Sequence, residues 1–277
     1  MRAPLGQKTT AAAPSLRRDS DKLRPASRRQ ALLLELVRSR LFVDAQVLSD
    51  ELGVSIATIR RDLTDLESQN LLRRTHGGAV SVTQVTHDDE TAIREATNPE
   101  EKRRIAAATA DMISEGDAIV IDSGTTSLQV AKLLAGNPSL TFVTNGMDVL
   151  ATLIAGGARA IHVIGGEYVA INHSFSGVMA AAMVRSFNVD KAILSVAAVD
   201  VGRALICTSR PQIACTQQAM IEIAQTVLVV ADHSKLERTA LSVIAPLERI
   251  DHIVTGIEAR AAVAAVPEKL KKKFVFA

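Results

Sequence analysis

Cysteine is nearly absent: Cys207 and Cys215 are the two that occur in 277 residues. They are too far apart for a CxxC site and too few for a disulfide framework. Reduced, cytoplasmic residence is therefore expected, with both thiols as packing residues. No uninterrupted apolar stretch is long enough to span a bilayer and the N-terminus lacks an apolar signal core, so no membrane partner is expected. Neither a Walker A sequence nor a GxGxxG pattern occurs, which leaves nucleotide binding without support, and no cofactor is expected. Ser123, His233 and Asp232 have the residue types of a hydrolase triad, but no nucleophile elbow is present and no catalytic set is assigned. The run His87-Asp88-Asp89-Glu90 has metal-ligand residue types with no second cluster to complete a site, so it reads as solvated linker and no metal is expected. No repeat of solenoid length is evident.

What the chain does have is room for two domains, a hydrophobic content of 47% that belongs to globular proteins, and an uneven charge. Residues 1–80 hold 14 Lys and Arg against 9 Asp and Glu, a balance of +5, and the remainder carries −3. A basic front half suits phosphate contacts, whereas an acidic back half is repelled by DNA. Residues 1–26, rich in Ala, Ser, Pro, Lys and Arg without periodicity, read as a disordered basic tail that adds non-specific DNA affinity.

Residues 27–82 read as a winged helix-turn-helix. Arg28–Arg40 predicts a first helix with Leu32, Leu33, Leu36 and Val37 inward. Asp44 is placed to cap a second helix whose Ala45, Leu48 and Leu52 share one face. Gly53 falls where a helix must stop, because glycine takes the left-handed conformation without a Cβ clash. Ser55 then caps a third helix with Ile56, Ile59, Leu63 and Leu66 inward, leaving Thr58, Arg60, Arg61 and Thr64 on other faces. Such a helix fits a DNA major groove. Leu71–Val82 follows as a basic hairpin, with His76, Gly77 and Gly78 at a turn that needs glycine freedom, and Arg73 and Arg74 within reach of backbone phosphates. The expected DNA-binding set is Ser55, Thr58, Arg60, Arg61, Arg73, Arg74, His76 and Gly77.

Residues 83–97 are polar and acidic and read as a linker. Asn98-Pro99-Glu100-Glu101 opens a helix with a cap, a proline at its first position and acids in its first turn, and Gly116 ends it. From there AIVID, LTFVT, AIHVIG, KAILSVAAV, TVLVVA and HIVTG alternate with helical segments. The strands are near-continuously apolar, as strands buried on both faces are, and the alternation predicts a largely parallel α/β sheet over 98–277. Ligands of such sheets bind beyond the carboxyl ends of the strands. Those ends here carry Asp122, Ser123, Gly124, Thr125 and Thr126, then Thr144 and Asn145, then Gly165 and Gly166, and finally Asp232-His233-Ser234-Lys235. A glycine-bearing loop opening a helix offers backbone N–H groups to an anion, the threonines add hydroxyl donors, and Lys235 is placed to neutralise a phosphate or to pair with Asp122 or Asp232.

GVSIATIRRDLTDLESQNLLRRTHGGA resembles the N-terminal signature of the DeoR-type bacterial repressors of sugar-utilisation operons. The resemblance continues in EEKRRIAAATADMISEGDAIVIDSGTT, FVTN, VIGG and ADHSK and covers the chain from about Arg28 onward. It implies a C-terminal sensor resembling a sugar-phosphate isomerase fold, operator DNA as partner, and a phosphorylated sugar or related effector that alters DNA affinity. The family commonly carries glutamates in the helix leading to the "AMI" segment. Ile213 and Cys215 stand there here, and SVAAVDVG replaces a glycine-rich turn. Both departures argue against catalysis, and Arg210 is a substitute cationic contact. The expected effector set is Asp122, Ser123, Gly124, Thr125, Thr126, Thr144, Asn145, Gly165, Gly166, Arg210 and Lys235. A homo-oligomer, dimer or tetramer, is expected because a repressor normally pairs two DNA-reading units on a symmetric operator. The Ala-rich helix around Met179–Val184 and the strand Phe274–Phe276 are its candidate interface elements. Two other readings stand beside this one, an isomerase-like enzyme fused to a DNA-binding module and an oligomeric DNA-binding scaffold whose sensor has lost its ligand.

Overall fold

A computed structural model describes residues 29–30, 32–34, 36–37, 42–68, 71–74, 77–81, 84–85, 91–236, 238–264 and 266–277, of which Phe42, Arg73, Val80, Ser81, Gln84 and Val85 are described by backbone alone. The tail 1–26, His76 and the run 87–90 lie outside the described residues, as does the side chain of Arg73. The chain divides into two units, Met1–Val82 and Thr83–Ala277.

In the first unit the described part of helix α1, between residues 29 and 37, buries Leu33 and Val37 completely. Leu32, expected inward, is 46% exposed. It lies one residue, roughly 100° of turn, from the buried line through Leu33 and Val37. Strand β1 (Phe42–Asp44) leads into α2 (Ala45–Leu52), where Asp44 Oδ1 accepts the Gln46 N–H at 2.7 Å. Gly53 stops the helix at φ 63°, and its N–H returns to the Ser49 carbonyl. Ser55 Oγ accepts the Thr58 N–H at 3.2 Å at the start of α3 (Ile56–Ser68), which buries Ile59, Leu63 and Leu66. The wing strands β2 (Leu72–Arg74) and β3 (Gly78–Ser81) pair antiparallel, Arg74 opposite Ala79.

Two features of this unit were not visible in the pattern. Strand β1 pairs with the other side of β3, so the wing belongs to a three-stranded sheet. Gly78 is required by that neighbour and not by turn freedom, since a Cβ there would sit 2.0 Å from the Val43 carbonyl oxygen. The second surprise is Asp62, which is buried inside the charged TIRRDL segment. Arg29 holds it with Nε at 2.5 Å and Nη2 at 3.1 Å, tying α1 to α3. That hydrogen bond, against the cost of burial, raises the guanidinium above its already high range.

The second unit opens with β4 (Gln84–Val85) and α4 (Thr91–Ala96), so part of the segment expected as linker is ordered. Helix α5 (Pro99–Ala110) follows; it ends six residues before Gly116, which lies in the loop to the next strand. Then come β5 (Ala118–Ile121), α6 (Thr125–Leu134), β6 (Thr141–Thr144), α7 (Met147–Ala155) and β7 (Ala160–Val163). A hairpin of β8 (Glu167–Val169) and β9 (Ser174–Ser176) precedes α8 (Val178–Val184). The chain continues through β10 (Val189–Ser195), β11 (Ala198–Asp200), β12 (Leu205–Thr208), α9 (Pro211–Ile223) and β13 (Ala224–Val230). The short β14 (Thr239–Ala240) pairs with β4, and β15 (Ser242–Pro246), β16 (His252–Thr255) and β17 (Phe274–Phe276) close the unit.

Seven strands form one parallel sheet in the order β17-β16-β13-β10-β5-β6-β7. Strand β10 shows why its sequence is apolar throughout. Ala192 and Leu194 pack into the core shared with α8 and α9, while Ile193 points into the opposite core with α5, α6 and α7. KAILSVAAV, expected as one strand, breaks after Ser195, and β11 joins a separate antiparallel sheet with β12 and β15. Phe274–Phe276 is an edge strand of the main sheet with Phe274 buried, whereas Val178 and Met179 of α8 are each 79% exposed. Cys207 is buried and Cys215 half-buried against the core. Among the described residues no helix is long and apolar enough to cross a membrane.

Strand order reverses between β5 and β10. The chain steps outward from β5 through β6 to β7, returns to β10, and steps outward the other way. Diverging loops at such a switch point leave a crevice beyond the carboxyl ends of the strands.

Candidate functional site

On the first unit Arg60 and Arg61 are exposed on α3, on the side away from its buried stripe. Ser55 and Thr58 are engaged in the cap, their hydroxyls 2.9 Å apart, which leaves them at the N-terminal end of the helix beside any groove it enters. The wing reaches over the same helix. Arg74 donates through Nη1 to Thr64 Oγ1 at 2.7 Å and through its main-chain N–H to Glu67 Oε1 at 2.8 Å. Arg60, Arg74, Gln46 and Gly77 border one groove between α2, α3 and the wing turn. This arrangement presents cations and donors from a recognition helix and a wing together.

On the second unit the crevice at the switch point is a cleft of about 560 Å³, open mouth included. Asp122, Ser123, Gly124, Thr125 and Thr126 run along one wall, from the end of β5 into α6, and Lys235 stands on another. Gly124 is needed twice over. Its φ of 134° disfavours a side chain, and a Cβ would lie 2.6 Å from that of Ser195 at the end of β10. Ser195 Oγ meets Ser127 Oγ at 2.8 Å, so β10 and the first turn of α6 are locked together. The Ser127 amide donates to Ser195 Oγ at 3.3 Å, while the Thr125 and Thr126 amides, with no intrahelical acceptor, lie at the favourable end of the helix dipole for an anion.

Asp122 is buried and accepts from Gln217 Nε2 at 2.7 Å. Burial pushes its carboxyl up to about 7, with the Gln217 bond opposing the rise only in part. A carboxyl held toward its neutral form does not repel a phosphate in the way an ordinary aspartate does. Behind Lys235, Asp232 accepts from Asn98 Nδ2 at 3.0 Å, and Asn98 therefore does not cap α5 with its side chain as expected; its backbone is left-handed at φ 49°. Burial would raise Asp232, but Lys235, Ser234, Lys102 and Asn98 outweigh it and hold the group below the usual aspartate range. Lys102 is itself buried, which lowers it, and its ammonium binds the carbonyls of Arg94 and Thr97 at the end of α4.

Thr144, Asn145, Gly165, Gly166 and Arg210, expected in the same pocket, do not line this cleft. Thr144 Oγ1 donates to the Ile121 carbonyl at 2.7 Å and Asn145 Nδ2 to that of Phe175 at 3.0 Å, so both brace the strand ends from behind. Gly166 sits against α8, where a Cβ would be 2.9 Å from that of Ala180, and Gly165 N–H reaches the Met183 sulfur. Arg210 is exposed at the start of α9. Ile213, singled out in the sequence for its place in the helix leading to the AMI segment, lines the cleft, and residues that the sequence reading missed include Arg94, Asn172, Ser195, Thr208 and Gln217. Gln217 had a readable signal, because it lies four residues after Ile213 and so shares its helix face. Arg94 had none, being in the segment taken for linker.

Among the described residues one group has metal-ligand types together: Glu101, Asp232 and His233. Glu101 takes the His233 main-chain N–H at 2.7 Å and its ring Nδ1 at 2.6 Å, which raises the imidazole, and Lys102 stands 3.9 Å from Asp232. The group reads as an internal ion-pair network.

Comparison with known proteins agrees with both halves of this picture. A family model for the DeoR-like helix-turn-helix domain matches residues 29–85, and one for the DeoR C terminal sensor domain matches residues 97–256. The transcriptional repressor AccR of Agrobacterium fabrum is 49% identical over 249 residues, 90% of this chain and 96% of that protein. The glycerol-3-phosphate regulon repressor of Escherichia coli is 34% identical over 227 residues, 80% and 88% of the two chains. A ribose 5-phosphate isomerase A from Methanocaldococcus jannaschii superposes with a TM-score of 0.39 at 12% identity, covering 50% of this chain and 55% of that one, a similarity too loose to bear on activity. With exposed arginines on a helix and wing in one matched segment and a switch-point cleft in the other, the chain belongs to the DeoR family of transcriptional regulators.

Proposed function

We propose that this DNA-binding repressor, a regulator and not an enzyme, controls a carbohydrate-utilisation operon in the cytoplasm, and that a phosphorylated sugar or related small metabolite sets its DNA affinity. The observation that carries the effector reading is the convergence on one cleft of the α6 amino terminus, the Thr125 and Thr126 hydroxyls, Lys235 and Arg94, with the neighbouring carboxyl of Asp122 biased toward neutrality. Such a set binds a phosphate monoester by charge, hydrogen bonds and helix dipole together. The name of the Escherichia coli relative, which refers to glycerol 3-phosphate, supports the same ligand class.

Coupling to DNA runs through α4. Arg94 lines the cleft while its Nη2 donates to the Ile171 carbonyl at 2.8 Å, and the carbonyls of Arg94 and Thr97 are held by buried Lys102. Helix α4 follows the segment that leaves the DNA-reading unit, so a ligand that engages Arg94 acts on the first described helix of the sensor. The protein acts as a dimer or tetramer, with the exposed Val178 and Met179 of α8 as contact residues.

The test is a mobility-shift titration of full-length protein on its upstream DNA, repeated with a panel of sugar phosphates, alongside thermal shifts with the same panel. Ligands that bind the native state raise the melting temperature by mass action. A compound that both stabilises the protein and changes DNA affinity is expected; stabilisation by none of the panel counts against the phosphate reading. Light scattering reads the assembly, and a monomer at micromolar concentration with DNA present counts against the oligomer.

A further inference from the structure

The cleft has a second lobe. Arg94, Ser123, Gly124, Thr125 and Asn172 border both lobes, and beyond them the second is closed by Asp148, His173, Leu128 and Val149. Its chemistry differs from that of the first. Lys235 and the Thr126 hydroxyl belong to the first alone, whereas the second, which shares Arg94 with it, adds a carboxylate and an imidazole over an apolar floor of Leu128 and Val149, both buried.

The pair at its end is built by the main chain. His173 is one of three described non-glycine residues with a left-handed backbone, at φ 49°. That conformation is uncommon for a residue with a side chain and marks a position held by its surroundings. Here its carbonyl accepts the Met147 N–H at 2.8 Å, capping the first amide of α7, and this sets its ring against Asp148 in the first turn of the same helix. His173 Nδ1 and Asp148 Oδ2 are 2.9 Å apart. Both side chains keep more than two-fifths of their surface exposed, so Asp148 Oδ1 and the far edge of the ring are reachable from the cleft. Asn172 joins the lobes, donating to Ser123 Oγ at 3.2 Å and accepting from Ser174 Oγ at 2.8 Å.

We infer that this second lobe reads the hydroxyl-bearing end of the effector, through Asp148 as acceptor for its O–H groups and Leu128 and Val149 as a surface for its C–H face. The inference rests on the phosphate reading of the first lobe and narrows it. A carboxylate accepts paired hydroxyl hydrogens but repels a phosphate, so the ligand has one orientation, with its phosphate in the first lobe. The class that fits is a monophosphate of a polyhydroxy compound. Inorganic phosphate lacks the second contact, and a bisphosphate brings its second charge against Asp148.

Isothermal titration of the full chain, wild type and Asp148→Asn, tests this with inorganic phosphate, glycerol 3-phosphate, ribose 5-phosphate, glucose 6-phosphate and fructose 1,6-bisphosphate. Wild type is expected to bind at least one monophosphate more tightly than inorganic phosphate and to reject the bisphosphate. Hydrogen bonds to a charged group are the strong ones, so Asp148→Asn should lose about tenfold in affinity for the preferred monophosphate and narrow the gap to the bisphosphate. His173→Asn, which keeps a residue tolerant of the left-handed backbone, should lose part of the same selectivity. Circular dichroism establishes that both variants are folded. If wild type binds no phosphate at all, the phosphate reading of the first lobe fails and takes this inference with it. If wild type binds monophosphates and both folded variants keep its full selectivity, the second lobe is overturned and the first stands.

Discussion

Asp122→Asn should stabilise the sensor unit, and by an amount that grows with pH. The carboxyl is 1% exposed and is pushed up to about 7 by burial, against roughly 3.9 for an unfolded aspartate. A group whose folded value is raised contributes stability that is complete below the unfolded value and is lost as pH climbs to the folded one. The window here is therefore about pH 4 to 7, and a gap of roughly three pH units at about 1.4 kcal/mol each makes the full loss about 4 kcal/mol. Most of it falls within reach of experiment, with about 2 to 3 kcal/mol lost between pH 5 and pH 8. The asparagine amide does not titrate, and its oxygen still accepts from Gln217 Nε2, so the variant keeps the bond and escapes the loss. Composition supplies a clean probe. The chain has no tryptophan and one tyrosine, Tyr168, which lies in β8 of the sensor unit and packs on Phe175 at 5.9 Å. Urea unfolding followed by Tyr168 fluorescence thus reports the unit that holds Asp122. The stability of Asp122→Asn relative to wild type should rise by about 2 to 3 kcal/mol from pH 5 to pH 8. A difference that is flat across that range, or a variant that is the less stable at pH 8, refutes the account of this carboxyl as a buried group whose ionisation costs stability.

The remaining predictions address the two sites directly. Replacing Arg60 and Arg61 together by Ala should abolish operator binding, since each good base contact is worth roughly 1–3 kcal/mol, and retained affinity in the folded double variant removes the assigned role of α3. Arg74→Ala should weaken binding evenly across DNA sequences and reduce the salt slope by about one, read from filter binding at several salt concentrations. Asp62→Ala should cost about 1–3 kcal/mol, because it removes two charged hydrogen bonds between α1 and α3, and circular dichroism melts will show an earlier transition if so. Thr125→Val and Lys235→Met should leave DNA binding near wild type while removing the ligand's effect on it, a coupling of about 1–3 kcal/mol in a titration with and without sugar phosphate.

What could be read from the sequence divides by the kind of force involved. The helix-turn-helix was legible because its signals are local: the Asp44 cap, the left-handed Gly53 and the Ile59, Leu63, Leu66 stripe each depend on neighbours within a few residues. The parallel strands were legible because burial on both faces demands uninterrupted apolar residues, as Ala192, Ile193 and Leu194 show by entering opposite cores. The Asp122–Thr126 loop was legible because strand, glycine and helix start are adjacent in the chain. Gly78 was recognised as necessary for a mistaken reason, since its constraint comes from β1, which is more than thirty residues away in the chain and left no mark of its own in the wing.

The cleft shows where local reading stops. Glycines at strand ends were taken together as ligand contacts, yet Gly165 and Gly166 follow β7, the edge strand two places from the switch point, and there they serve packing against α8. A strand end contributes to a ligand site according to its position in the sheet, and position is fixed by the strand order, which periodicity does not encode. The converse holds for Arg94 and Gln217. One lies in a polar segment that reads as linker and the other in a helix whose neighbouring positions depart from the family pattern, but the fold sets both beside the end of β5. Helix α9 divides its positions between the cleft and the core. Ile213 makes part of the cleft wall apolar, Cys215 packs against the core, and Gln217, on the same helix face as Ile213, holds the carboxyl of Asp122. Asp122 is the one acid on the described walls of the first lobe, and burial raises its carboxyl to about 7. A lobe of that kind, with Lys235 and the amino terminus of α6 in it, is suited to hold an anion.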